Sequence, residues 1–388
     1  MLTVVRSGAV PGRSLLPTDE PLRLLSADGQ WTTAPQHLVS PTDPELLELH
    51  RAMVIGRRFD TQAGALVKQG RMAVYPSSRG QDACQVGSVL ALADQDWLFP
   101  TYRDSVAVIT RGVDPVEVLT LLRGDWHCGY DPYRHRVAPQ CTPLATNELH
   151  AVGLAYAAAL QGHDTVALVL LGDGATSEGD THEALNFAAV WKAPVVFLIQ
   201  NNGYAISVPL AKQSAAPSLA HKGIGYGIPS LLIDGNDAAA VFSAVKESVD
   251  RARLGYGPTL IEAVTYRMDA HTNADDATRY RSADEVQSWA AKDPIVRLEQ
   301  HLLDRGLLDT ARLDAIRADA EEFASSVRVR MNEDAHPDPQ DLFRFVYAEP
   351  TRSLVEQSHF LASENSVGDG GANPSKTTAA DVKGASRG

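Results

Sequence analysis

A chain of 388 residues with 44% hydrophobic side chains can bury a large core, in roughly one to three domains. Its 35 basic and 48 acidic residues leave a formal charge of −13, which excludes nucleic acid as a partner class, since phosphate backbones are met by a basic face. No apolar stretch reaches the roughly 18 residues of a membrane span, and Cys84, Cys128 and Cys141 are spaced for neither a disulfide frame nor a zinc site, so they read as reduced, buried thiols.

The first 18 residues hold Arg6, Arg13, several hydroxyls and no acid, a composition shared with mitochondrial leaders. They lack an amphipathic period, so an irregular, bacterial-type N-terminal extension over residues 1–40 is the better reading, expected to wrap a surface or a partner. A helix is predicted from Thr42 or Asp43 as cap, with Pro44 in its first turn and Leu46, Leu49, Met53 and Phe59 at helical spacing. His150–Leu160, dense in alanine, reads as a second helix narrow enough to be packed on all sides.

Six apolar residues, Val166 to Leu171, then run into Gly172-Asp173-Gly174. Such continuous apolar runs mark strands buried on both faces of a parallel sheet. A helix follows, expected to be capped by Ser177 with Asp180 three residues on, to carry Leu185, Ala188 and Ala189 at helical spacing, and to stop at Ala193-Pro194. A second apolar run, Val195 to Ile199, delivers Asn201-Asn202. Strand, helix and strand make one right-handed crossover unit. Residues 230–233 and 259–265 read as further strands, and Asn236-Asp237 as the cap of a helix with Val241, Ala244, Val245 and Ser248 on one face. The expected fold is therefore α/β, a mostly parallel sheet with helices on both faces, over residues 41–350. From 362 to 388 large apolar side chains are almost absent, which predicts a disordered tail.

The polar residues after the two runs should meet at the carboxyl edge of one sheet, where open α/β sheets bind ligands. Aspartate and asparagine offer hard oxygen atoms suited to Mg²⁺, which keeps places for water and phosphate oxygens. Gly172 and Gly174 let a diphosphate approach backbone N–H groups. An ordinary doubly wound unit, in which Asp173 only caps a turn, is the plainer alternative.

GDG followed by NN at this distance resembles the thiamine diphosphate and Mg²⁺ motif. The longer string GDGATSEGDTHEALNFAAVWKAPVVFLIQNNGYAISVP resembles the alpha subunit of the first component of 2-oxoacid dehydrogenases, nearest the branched-chain enzymes with their similar NNGYAIS segment. The likeness extends over roughly residues 35 to 350. It implies Asp173, the Asn202 side-chain oxygen and the Tyr204 main-chain carbonyl as Mg²⁺ ligands, with Gly174 and Ala175 offering N–H groups to phosphate. Asn201 reads as a turn former. Many branched-chain enzymes have an arginine just before the two asparagines; this chain has Gln200, which puts one phosphate ion pair in doubt.

Three further segments carry the resemblance. In Phe99-Pro-Thr-Tyr-Arg-Asp104, Tyr102 and Arg103 match the pair that reaches the diphosphate, where a guanidinium can grip two oxygens. Cys141-Thr-Pro-Leu-Ala-Thr-Asn147 resembles the loop SPLATQ, in which the residue at Leu144 presses the cofactor into its bent conformation. Pro143, Thr146 and Asn147 fall where the branched-chain family binds a structural K⁺, although Cys replaces Ser at 141 and Asn replaces Gln at 147. Tyr266 to Asp276, then Tyr280-Arg281-Ser282, resembles the active-site loop. There His271 matches the histidine that contacts the cofactor and helps transfer the acyl group. Thr272 stands where animal enzymes are phosphorylated; with no dedicated kinase in view, a hydroxyl supporting the loop is the better reading.

The resemblance implies decarboxylation of a small 2-oxoacid and transfer of the acyl group to a lipoylated dihydrolipoyl acyltransferase. In this family a beta subunit supplies the glutamate that activates the cofactor's pyrimidine, so this chain is expected to be half of an active site, in an assembly of two alpha and two beta chains. The expected compartment is the cytoplasm, or the mitochondrial matrix if the N-terminus is a leader. The alternatives are a pyruvate-specific subunit of the same family, a transketolase-like half-enzyme, and a non-catalytic α/β module binding Mg²⁺ or a nucleotide.

Overall fold

The computed structural model describes residues 14–33, 38–333, 335 and 337–368. Two compact units divide the chain, Met1–Glu333 and Asp334–Gly388. Within the first, the helix Thr310–Met331 closes against Asp43–Lys68 and is capped at Asn332.

Seven strands are described: β1 (Trp97–Phe99), β2 (Ala167–Gly172), β3 (Val195–Asn201), β4 (Tyr204–Ala205), β5 (Val208–Pro209), β6 (Ser230–Asp234) and β7 (Thr259–Val264). Five of them make one sheet in the order β1-β2-β3-β7-β6, with every pair parallel. β4 and β5 form a small antiparallel hairpin beyond the end of β3. The alternation along the strands explains why the apolar runs are continuous. Leu168, Leu170, Val196 and Leu198 enter one core, while Ala167, Val169, Leu171, Val195, Phe197 and Ile199 enter a second on the opposite face.

Helices cover both faces. Thr146–Leu160 and Gly179–Trp191 close the second core through Ala151, Val152, Ala155, Ala184 and Leu185. Asp43–Lys68, Asp82–Leu90 and Ala238–Arg253 close the first. Thr42 is the cap of its helix, with its N–H donating to the Glu45 carboxylate at 2.6 Å, and Asp237 caps Ala238–Arg253 by accepting from the Ala240 N–H.

Three local expectations are corrected. The alanine-rich helix begins at Thr146, because Ala145 turns into the left-handed region at φ 65°. It is not packed on all sides: Gly153, Ala157 and Leu160 are exposed. The crossover helix starts at Gly179 after a short 3-10 turn, Gly174–Ser177, so Glu178 and not Ser177 is its cap.

The N-terminal extension, as far as it is described, packs on the chain itself. Leu22 exchanges backbone hydrogen bonds with Leu232 and Asp234 along β6, an outer strand of the sheet, and Leu24 and Leu25 are fully buried. Their N–H groups both donate to Asp237, at 2.6 and 2.7 Å. Residues 1–13, where the leader-like composition lies, are outside the described residues. In the second unit the helix Arg352–Gly368 runs past residue 362, later than the predicted onset of the tail; residues 369–388 are outside the described residues. Among the described residues no helix is long and apolar enough to cross a membrane.

Candidate active site

Register brings the two motifs together. Gly172 pairs with Gln200 across β2 and β3, so Asp173 and Asn202 both emerge at the carboxyl edge of adjacent central strands. They face a cavity of about 530 Å³. Tyr102, Arg103, Leu144, Asp173, Gly174, Ala175, Asn202, Tyr204 and His271 all line it, although they come from segments far apart in the chain; Pro143, Thr146 and Asn147 do not.

Asp173 is 1% exposed, and the nearby Arg267 exerts a favourable charge on it. Burial pushes its carboxyl up from the ordinary value, and hydrogen bonding from the Gln213 amide at 2.7 Å opposes the rise. A buried carboxylate whose charge is only partly met, by Arg267, fits a cation site. Asn202 adds a neutral oxygen beside it. Tyr204 contributes a main-chain carbonyl that the Arg267 guanidinium meets at 3.3 Å, so a metal at that oxygen would share it with a cation. Hard oxygen donors of this kind suit Mg²⁺. Among the described residues no group of three or more His, Cys, Asp or Glu side chains could hold a metal.

Gly174 and Ala175 open the 3-10 turn, so their N–H groups have no partner within it and are available to an anion. A side chain at 174 would put its Cβ 2.8 Å from that of Ala205, which explains the glycine there. The hairpin of β4 and β5 closes this side of the cavity. At its tip Ile206 sits at φ 56°, a strained value for a β-branched residue, with its carbonyl held by Arg267 at 2.6 Å.

Arg103 lies on the cavity wall, yet much of its guanidinium serves the protein. It donates to the Ser77 carbonyl at 2.9 Å and, through its other terminal nitrogen, to the His271 carbonyl at 2.9 Å and His271 Nδ1 at 3.0 Å. Nε–H and one terminal hydrogen remain for a phosphate. Tyr102 meets the His271 ring edge-on, with centroids 6.2 Å apart.

This contact fixes the chemistry of His271. A guanidinium can only donate, so Nδ1 must accept and the ring proton must sit on Nε2. Burial, then the charges of Arg103 and Arg267, hold the imidazole down at about 4, against the upward pull of Asp275. His271 is thus neutral at pH 7 and presents an N–H. Its ring resonances should titrate with a midpoint near about 4, well below the usual value near 6.5. Because folding lowers this pKa, the unfolded chain takes up the proton first, and the contribution of His271 to stability falls as pH drops from about 6.5 towards 4. A midpoint near 6.5 by proton NMR would mean that neither burial nor Arg103 holds the imidazole neutral.

The loop that carries His271 is braced from within. Asp275 accepts from the His271 N–H at 2.8 Å and from the Tyr280 hydroxyl, and Arg267 donates to that hydroxyl at 2.8 Å. Arg281 caps the carbonyls of Arg267, Met268 and Asp269. The Thr272 hydroxyl accepts from the Ala274 N–H at 3.4 Å.

At the loop resembling a K⁺ site, Asn147 turns its amide inward to the carbonyls of Phe99 and Leu170, at 3.3 and 3.0 Å. The Cys141 thiol donates to the Pro143 carbonyl at 3.0 Å. The Pro143 carbonyl is thus met by a thiol, and the Asn147 NH₂ by two backbone carbonyls.

Some site residues carried no signal in the sequence. Gln81 lies 119 residues from Gln200, to which it donates, and Gln213 lies 40 from Asp173; a lone glutamine in a loop or at a helix start marks nothing. Arg267 stood inside a recognised string but without a role of its own.

Residues 50–335 match the family model described as dehydrogenase E1 component. The chain is 45% identical over 355 residues to the 3-methyl-2-oxobutanoate dehydrogenase subunit alpha of Mycobacterium tuberculosis, covering 91% of this chain and 97% of that protein. It is 44% identical over 267 residues to the pyruvate dehydrogenase E1 component subunit alpha of Staphylococcus aureus, covering 68% of this chain and 72% of that protein. With motif, register and cavity in agreement with these likenesses, the chain belongs to the dehydrogenase E1 component family.

Proposed function

We propose that this chain is the alpha subunit of a decarboxylating branched-chain 2-oxoacid dehydrogenase that uses thiamine diphosphate and Mg²⁺. The observation that carries the reading is the convergence of Asp173 and Asn202 with the free N–H groups of Gly174 and Ala175 at one sheet edge. When bound there, thiamine diphosphate supplies the electron sink that decarboxylation needs. The protein's part is to bind and orient. Asp173 and Asn202 hold the cation, the turn at Gly174 and the spare donors of Arg103 hold the diphosphate, and Leu144, 43% exposed on its loop, offers the apolar wedge. His271 offers its Nε2–H to the reacting end.

Branched-chain substrates are favoured over pyruvate by the length of the likeness, 355 matched residues against 267 at nearly equal identity. The pyruvate reading draws on the second of these relatives. Comparing turnover of 3-methyl-2-oxobutanoate and pyruvate separates them, and a preference for pyruvate overturns the first. The acyl group passes to a lipoyl arm of an acyltransferase, and the setting is a cytoplasmic assembly of two alpha and two beta chains.

The half-site reading has its own test. Among the described residues, Glu178 is the one glutamate on the cavity wall, at the end of the turn Gly174–Ser177. Purified alone, the chain should show no 2-oxoacid decarboxylation, and adding the beta subunit should restore it. Robust turnover by the isolated chain would mean that it carries its own activating carboxylate.

A further inference from the structure

Four buried side chains from three segments form a single hydrogen-bonded line that ends at the proposed Mg²⁺ site. Asn202 donates its amide to Gln81 Oε1 at 2.9 Å, Gln81 donates to Gln200 Oε1 at 2.9 Å, and Gln200 donates to Asp104 Oδ1 at 2.7 Å. All four are at most 6% exposed. The other Asp104 oxygen accepts from the N–H and hydroxyl of Thr101, at 2.7 and 2.6 Å, and so closes the turn that presents Tyr102 and Arg103.

We propose that Gln81 and Gln200 are positioning residues that carry the polarity of Asp104 to Asn202, so that Asn202 turns its oxygen, and not its NH₂, to the metal. The inference rests on the Mg²⁺ reading given above. Each amide in the line has one accepting and one donating end and could be turned over without a change of shape. Asp104 settles the direction, because a carboxylate accepts at both ends. Gln200 must point its NH₂ at Asp104, which leaves its oxygen for Gln81, and Gln81 in turn leaves its oxygen for Asn202. The Asn202 NH₂ is consumed, and its Oδ1 is left for a cation and for the Tyr204 N–H at 3.2 Å. A glutamine at position 200 thereby joins the phosphate-side turn to the metal side, in place of a direct ion pair.

This logic predicts an inversion. In Asp104→Asn the Thr101 N–H still demands an oxygen, so the new NH₂ faces Gln200. Gln200 and Gln81 then turn over in sequence, and Asn202 presents its NH₂ to the cation. The Mg²⁺ concentration that half-saturates thiamine diphosphate binding, measured by calorimetry on the full chain assembled with its beta subunit, should rise about 10–100-fold. Adding Asn202→Asp in that background should recover most of the loss, because the reversed line donates to a carboxylate. Asn202→Asp alone should weaken binding, since Gln81 then opposes oxygen to oxygen. An unchanged Mg²⁺ requirement in Asp104→Asn, or a double variant no better than it, overturns the proposal.

Gln81→Met tests the line without touching the Thr101 turn. It should fold with a lowered melting temperature, since Gln200 and Asn202 lose buried partners, and should still raise the Mg²⁺ requirement; an unchanged requirement counts equally against the proposal, including where Asp104→Asn does not fold. The underlying reading fails separately, if the wild-type assembly binds thiamine diphosphate without Mg²⁺ or if Asp173→Ala leaves that binding unaltered.

Discussion

Asp173→Ala should weaken thiamine diphosphate binding by about tenfold to over a hundredfold, since losing a charge-assisted contact costs roughly 1.5–3 kcal/mol or more. The direction follows from burial. In the folded chain this carboxylate is 1% exposed, and its side-chain hydrogen bond comes from Gln213. Without a cation the charge is held against the cost of desolvation, so removing it should leave the fold intact or slightly more stable while the metal site is lost. Melting temperature and calorimetric binding measured on the assembled protein distinguish the two effects. Unchanged affinity would mean that Asp173 only terminates β2.

His271→Ala should spare folding and Mg²⁺ binding and slow reductive acylation of lipoyl groups by about 10²–10⁴-fold, the range typical of a positioned proton-transfer group. With Arg103 on Nδ1 and the pKa held at about 4, the imidazole acts as a neutral donor through Nε2. Decarboxylation followed with an artificial electron acceptor should suffer less than the full reaction if acyl transfer is its main task. An equal loss in both assays assigns His271 to cofactor positioning, and normal rates in both return it to loop support, together with the reading of the 266–281 segment.

The sheet and its motifs were legible because the physics that shapes them is local. A strand buried on both faces writes itself as an unbroken apolar run, and Leu168 and Val169 show why, entering opposite cores. The crossover then fixes which residues share an edge, so Asp173 and Asn202 could be paired from spacing. Two kinds of detail could not be read. One is backbone geometry at helix starts, where the left-handed Ala145 and the 3-10 turn at Gly174–Ser177 moved both predicted N-termini. The other is side-chain partnership across the chain. Nothing in the composition of residue 103 says that its guanidinium is spent on Ser77 and His271, and nothing around Gln200 says that its amide points to Asp104.

Arg103 also makes the cavity a thermodynamically linked system. One guanidinium ties the Ser77 carbonyl to the carbonyl and ring of His271 and still has hydrogens directed elsewhere. Any anion that draws on those hydrogens changes the free energy of the loop, and by reciprocity the state of the loop changes the affinity for the anion by the same factor. Ligand affinity and loop order are then two measurements of a single coupling term, with Arg103 as the residue where it resides.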